Sequence, residues 1–412
     1  MKLDKFMKDN VIVFLSSMLV NLLGVFFQLS AGALLGDAMV FSDMNTIFSL
    51  HSILTIPLNI IIYIITKYIA ELYTEHRLEE IKGSFSKLSK ATFGVGLLIC
   101  CITILASEKI TIYFNISNKY YIILEAFFAG FTIYEALYAG IFQGMQYFAY
   151  YNILGIIVQL LKIGGLVFST FSSDKILFIW LVMIIGLIIT LTWARSKVKK
   201  VYEPYEYRPT HFDFRKLLKF SIAVVAVNAI TTLQGNLDLL FVKHYFNDIA
   251  GSYSIVMIFA KCITYFAGAF VIVMFPFTVT VKSDIKKAVI FLKKTFVITA
   301  VLEMIAMIVF IMFGQYGIAI LYGDTFQYAE KLIIPAVIMI VPVGLITILT
   351  NFLLALEYYR GLVICLGISV VIEIIAVNLI PKNIEEMIYL LALVMWGTLI
   401  GLFWIVYKIV KN

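Results

Sequence analysis

Charge is what this chain has least of. Of its 412 residues only 14% are Asp, Glu, Lys or Arg, against about 25% in ordinary soluble domains. A water-soluble globule that is 62% hydrophobic could not cover its own surface. Cysteine and histidine are also scarce. Cys100, Cys101, Cys262 and Cys365 all lie in apolar blocks, with no C-x-x-C pair, and His51, His76, His211 and His244 are scattered. That pattern speaks against a metal site and against a disulfide framework. No Walker A sequence occurs, so ATP hydrolysis within the chain is not expected. Neither a G-x-S-x-G nor another nucleophile–base constellation is present. Long polar loops are missing on one side of the chain, where no gap exceeds about 18 residues. A membrane glycan polymerase or acyltransferase needs such a loop for its catalytic groups, so the chain is read as no enzyme, with no cofactor and no metal.

What is present is apolar sequence in blocks of about 20 residues, the length that crosses a bilayer core as a helix. The weak period-2 alternation of an outer-membrane barrel is not seen. The blocks predict spans at 11–34, 45–66, 91–106, 120–142, 150–171, 176–194, 217–242, 252–281, 295–313, 332–356, 361–380 and 386–407. Lys2, Lys5 and Lys8 precede the first run, and Ala31-Gly32-Ala33 mimics a cleavage site. A signal peptide carries only about 7–15 apolar residues, so the longer run is expected to stay as an uncleaved first span.

The net charge of +7 does not point to nucleic acid, because the basic residues sit in the gaps between apolar blocks. With the N-terminus placed in the cytoplasm, the inner gaps and termini hold 24 Lys and Arg and the outer gaps hold six. The positive-inside rule then puts both termini in the cytoplasm. The lysine-rich gaps 67–90 and 282–294 look amphipathic and suit anchoring to anionic membrane lipid.

The fold class that follows is an all-α integral membrane protein of about twelve transmembrane helices. The polar stretch 195–216, with Pro204 and Pro209, reads as a cytoplasmic linker between two six-helix lobes, 1–194 and 217–412. Internal similarity supports the division. IKGSFSKLSK at 81–90 resembles IKKAVIFLKK at 285–294, and GMQYF at 144–148 resembles ALEYY at 355–359. Six helices per half make these parallel repeats about an axis along the membrane normal.

A charge at mid-bilayer costs about 2.5–3.5 kcal/mol on insertion scales, so each one asks for a reason. Lys162 stands mid-span with Gln159 on its helix face; Lys261, Tyr265 and Gly268 share another face. Asn21 and Gln28 share a face of span one. Glu135, Glu303 and Glu373 lie deep, whereas Glu125 and Asp238 lie toward the outer ends and are read as wet. Two readings stand side by side. Lysine–carboxylate pairs could fix helix register, or the lysines could hold an anionic substrate while the acids take a coupling cation. The candidate substrate-binding set is Lys162, Lys261, Gln159, Tyr265 and Asn21; the ion-coupling candidates are Glu135, Glu303 and Glu373. Pro57, Pro276, Pro335 and Pro342 are expected to bend or break spans two, eight and ten.

Three further stretches carry a resemblance. DIAGSYSIVMIFAKC at 248–262 is similar to an Ala-Gly-x-Tyr lead into the eighth helix, IFQGMQYF at 141–148 to a Gln-Gly turn, and LYGDTFQYAEKLIIP at 321–335 to a Tyr-Gly…Tyr…Ala lead into helix ten. On these the chain resembles the polysaccharide or O-antigen flippases of the multidrug/oligosaccharidyl-lipid/polysaccharide exporter superfamily. The resemblance implies two pseudo-symmetric lobes around a central cavity in a bacterial cytoplasmic membrane. It also implies movement of undecaprenyl-diphosphate-linked oligosaccharide for capsule, exopolysaccharide or O-antigen. Implied partners are that lipid-linked oligosaccharide, membrane lipid, H+ or Na+ as coupling ion, and polysaccharide polymerase and chain-length proteins. Two lysines are fewer than other members carry. Lipid II flippases and multidrug or cation antiporters of the superfamily are the alternatives. The former usually have fourteen helices and more cavity arginines, the latter a carboxylate in helix one, and span one here has none.

Overall fold

A computed structural model of the chain describes residues 3–203, 214–379 and 381–411. Fourteen α-helices occur among the described residues, and no strand. They are α1 (Leu3–Leu35), α2 (Ala38–Leu54), α3 (Ile56–Thr74), α4 (Leu78–Tyr113), α5 (Lys119–Gly144), α6 (Phe148–Ser169) and α7 (Lys175–Tyr202). After these come α8 (Phe214–Tyr245), α9 (Ala250–Ile263), α10 (Tyr265–Thr280), α11 (Ile285–Tyr322), α12 (Ala329–Ala355), α13 (Tyr359–Leu379) and α14 (Ile384–Lys411). Twelve stretches of the described residues are long and apolar enough to cross a membrane. The expected twelve-span, all-α class is therefore what the chain adopts.

Fourteen helices make twelve spans because spans two and eight are each broken once. The first break falls at Thr55, whose Oγ1 donates to His51 O at 2.7 Å, and Pro57 follows in the opening turn of α3, where its missing N–H costs nothing. The second falls at Thr264, not at Pro276. Thr264 Oγ1 donates to Lys261 O at 2.8 Å, and α10 runs on through position 276. Span ten does not break at all: α12 is continuous through Pro335 and Pro342. It is the most enclosed of the twelve spans, and packing on every side holds its backbone where proline removes a hydrogen bond.

The lysine-rich gaps 67–90 and 282–294 are largely helical: 67–74 finish α3, and from Leu78 and Ile285 on they open two long helices. α4 has 36 residues and α11 has 38, each about 55 Å long at 1.5 Å per residue. Asp284 caps α11, its carboxylate accepting from the Lys287 N–H at 3.1 Å. That backbone bond, then the Lys287 side chain, holds the Asp284 carboxyl below the usual range. A lowered carboxyl stabilises the fold above its unfolded pKa, and the gain fades as pH falls through the folded value. Asp284→Ala is therefore expected to lower the thermal midpoint slightly at pH 7, the gap to wild type closing as pH drops below the carboxylate range.

The chain divides into two compact units: Met1–Leu35 with Asp43–Val225, and Gly36–Ser42 with Ala226–Asn412. Of the linker expected at 195–216, residues 204–213 lie outside the described residues, whereas 195–202 continue α7 and 214–216 open α8. In unit 1 the helices meet through glycine. A Cβ on Gly96 of α4 would stand 2.5 Å from Gly130 O of α5, and Gly140 and Gly144 of α5 lie against Ile65 and Ile69 of α3. Close backbone approach of this kind replaces the hydrophobic drive that helices lack inside lipid.

The internal repeat is visible in backbone geometry. Two residues past the ends of α5 and α12 stands a residue in the left-handed region, Gln146 and Glu357, each at φ 61°. Tyr147 N–H reaches back to Phe142 O at 2.8 Å, and Tyr358 N–H to Leu353 O at 2.9 Å, the bond that closes a left-handed helix terminus. Each turn residue precedes a Trp-x-x-x-Lys pair by 47 positions, Trp193 with Lys197 and Trp404 with Lys408. In both pairs the ammonium lies over the indole, at 5.9 Å and 5.2 Å. The match of 144–148 with 355–359 thus extends from one short turn to three consecutive elements.

Candidate functional site

Unit 2 contains a cavity of about 480 Å3 between α8, α9, α10, α12, α13 and α14. Its polar lining includes Asn228, Gln234, Asp238, Lys261, Asn351 and Glu373. Lys261 lies in the last turn of α9, three residues before the break at Thr264. The Nζ donates to Gly235 O of α8 at 3.0 Å and lies 3.7 Å from Asp238 Oδ2. The same oxygen accepts from Tyr253 OH at 2.9 Å. Gln234 donates to Ser369 Oγ at 2.8 Å, and Ser369 shares a 2.5 Å hydrogen bond with Thr398.

Glu373 is fully buried, and neither of its carboxylate oxygens has a hydrogen-bond partner among the described residues. Asp238 Oδ1 is likewise unpartnered. Two carboxylates therefore face one ammonium across a cavity of small-molecule size. Such a set can exchange cations at the carboxylates and present a single positive charge to an anion.

Three of the expected site residues, Lys261, Tyr265 and Glu373, are brought together here, although Lys261 and Tyr265 now belong to separate helices. The others lie elsewhere. Lys162 of α6 sets its ammonium over the Phe48 ring at 4.8 Å. Gln159 packs its amide toward Gly24 of α1, with Oε1 buried and without a partner among the described residues. Asn21 is exposed. Glu135 is buried in α5. Glu303 of α11 is buried against Gly344 of α12, outside the cavity lining.

Two readings need correction. Asp238 is 5% exposed and Glu125 0%, so neither is a wet outer-end acid. Asp238 completes the cavity. Glu125 accepts from Trp180 Nε1 at 2.9 Å and pairs with His51 Nδ1 at 2.7 Å, which draws in a histidine that looked isolated. The signal available for Asp238 was its spacing of four from Gln234, one turn along the same face of α8. One more relation links the halves: Lys162 and Glu373 each follow the left-handed turn residue by 16 positions. The repeat puts one ionisable group at the same place in each fifth span, with opposite sign.

Against known proteins, residues 82–331 match the family model described as "Polysaccharide biosynthesis protein". The fold resembles an inward-facing multidrug resistance MATE family transporter of the MOP superfamily at TM-score 0.76 and 9% identity, over 94% of this chain and 95% of that one. It resembles the lipid II flippase MurJ in an inward closed conformation at 0.71 and 14%, over 96% and 87%. A MATE transporter of Vibrio cholerae follows at 0.66 and 12%, over 97% and 96%. At these identities the likeness is one of fold. No curated protein matches by sequence.

Proposed function

Because the chain belongs to the polysaccharide biosynthesis protein family, we propose that this multi-pass membrane protein moves lipid-linked oligosaccharide between the leaflets of a bacterial cytoplasmic membrane. The cargo would be a polyprenyl-diphosphate glycan for a surface polysaccharide, handled by alternating access. The single observation that carries the reading is Lys261, an ammonium held at a polar cavity inside apolar helices. An anionic diphosphate gains far more from such a charge at low dielectric than in water. Lys162, with Gln159 and Asn21, would serve the same cargo from unit 1. No catalytic constellation is invoked, and both termini are taken to be cytoplasmic.

Coupling to H+ or Na+ would run through Glu373 at the cavity, with Glu135 and Glu303 acting away from it. A bound cation at Glu373 offsets the excess of carboxylate beside Lys261 and so favours occupancy by an anion. That excess also supports a second reading, export of an organic cation, in which Asp238 and Glu373 are the binding charges.

The deciding experiment is reconstitution in liposomes with a labelled lipid-linked glycan, scored by leaflet exchange. Wild type is expected to exchange the glycan, and the Lys162→Ala/Lys261→Ala protein to fall to the protein-free rate. Full exchange with both lysines gone ends the anion-site reading. Background glycan exchange by wild type, with uptake of a cationic dye, decides for the second reading.

A further inference from the structure

We propose that unit 1 carries a separate site for an anionic phospholipid headgroup, on the side that the lysine count places in the cytoplasm. The last turn of α3, the α5–α6 turn and the last turns of α7 enclose a cavity of about 640 Å3. Its walls include Tyr73, Gln146, Tyr147, Tyr150, Lys197 and Lys200, and none of its lining residues is acidic. The tyrosines form a continuous surface, with Tyr73–Tyr147 centroids at 6.5 Å and Tyr147–Tyr150 at 5.9 Å, both edge to face. Lys197 Nζ is held 5.6 Å from the Tyr150 ring and 5.9 Å from Trp193. Its charge is therefore placed at the wall and not free to wander. Glu203, the nearest acid along α7, is taken up by Lys199 at 3.6 Å.

Unit 2 supplies the internal comparison. Where unit 1 has the neutral Gln146, unit 2 has Glu357, whose carboxylate holds Lys282 at 3.0 Å. At the repeat position of Tyr150 stands Gly361. In unit 2 the turn thus carries an acid at Glu357 and no ring at Gly361, although Tyr358 matches Tyr147 and Lys408 and Lys411 match Lys197 and Lys200; in unit 1 it carries an amide, a second ring and two lysines on a wall without an acid. The second set suits a phosphate ester bearing a polyol: ammonium groups for the phosphate, tyrosine faces and hydroxyls for the polyol. A lipid, and not a soluble phosphate, is the occupant because the pocket opens where apolar spans end. Aromatic and lysine side chains gather there at headgroup depth.

The test is native mass spectrometry of the full protein with phosphatidylglycerol and phosphatidylcholine. Wild type should retain one phosphatidylglycerol in preference to phosphatidylcholine. Lys197→Gln/Lys200→Gln should weaken that retention about ten- to thirtyfold, the weight of two lysines at an anionic surface. Gln146→Glu, which imports the acid of unit 2, should weaken it too. The control Lys408→Gln/Lys411→Gln, at the repeat positions of Lys197 and Lys200 in unit 2, should leave it unchanged. Equal loss in pocket and control variants would reduce the site to general surface attraction and overturn the proposal. Displacement of the lipid by soluble glycerol 3-phosphate at similar concentration would overturn the choice of a lipid.

Discussion

Lys261→Ala is expected to cut leaflet exchange of a lipid-linked glycan about thirtyfold while leaving membrane insertion intact. The size follows from the loss of one charge-assisted contact to phosphate, about 2 kcal/mol. The structural cost is smaller. Lys261 is 40% exposed on its side chain, so its attraction to Asp238 is screened, worth at most about 1 kcal/mol. Asp238 also keeps the Tyr253 hydroxyl. A second variant separates the two effects. Lys261→Ala/Asp238→Asn removes the carboxylate that the lysine would leave exposed to apolar surroundings. It should recover the thermal midpoint of wild type and still fail to exchange glycan. Recovery of exchange by the double variant would mean that Lys261 serves Asp238 alone, and Lys261 would then have no place in substrate binding.

That pair also shows how far the sequence could be read. Hydropathy and the lysine-rich gaps located twelve spans, because a bilayer demands about 20 apolar residues of every crossing helix. Burial inside a bundle makes no such demand on one residue. Asp238 and Glu125 looked wet because they sit near span ends, yet each meets its partner from another helix: Lys261 of α9 and Trp180 of α7. One-dimensional spacing identifies neighbours three or four residues apart on the same helix and is silent on which helices face each other. Proline misled for a related reason. The break in span eight is at Thr264 and not at Pro276, and α12 absorbs both of its prolines. A helix enclosed by neighbours tolerates a lost backbone bond; one that opens onto a polar cavity does not need to. By contrast, the short match of 144–148 with 355–359 was legible, because a left-handed terminus constrains backbone and sequence together.

The second large effect is expected at Glu303 and Gly344. A Cβ on Gly344 would collide with Glu303 Oε1 and stand 2.7 Å from its carboxyl carbon. Glu303 is 1% exposed, with neither oxygen partnered among the described residues. Gly344→Ala must therefore displace the buried Glu303 carboxyl group from its place against α12, at a cost of about 1–3 kcal/mol. Glu303→Ala frees that space, so adding it to Gly344→Ala should restore stability well beyond additivity, with a coupling of about 0.5–3 kcal/mol. The single change Glu303→Gln is expected to stabilise the protein, since a buried carboxylate without a partner is costly. The role proposed for Glu303 is that of a place where a proton or Na+ would bring the missing positive charge. Under that reading Glu303→Gln still exchanges glycan at equilibrium but no longer responds to an imposed H+ or Na+ gradient. Thermal midpoints of the three variants, measured with gradient-driven exchange in the same liposomes, decide between a coupling site and a packing position. An unchanged gradient response beside a raised midpoint would assign Glu303 to packing and leave Glu373, at the cavity, as the carboxylate to test.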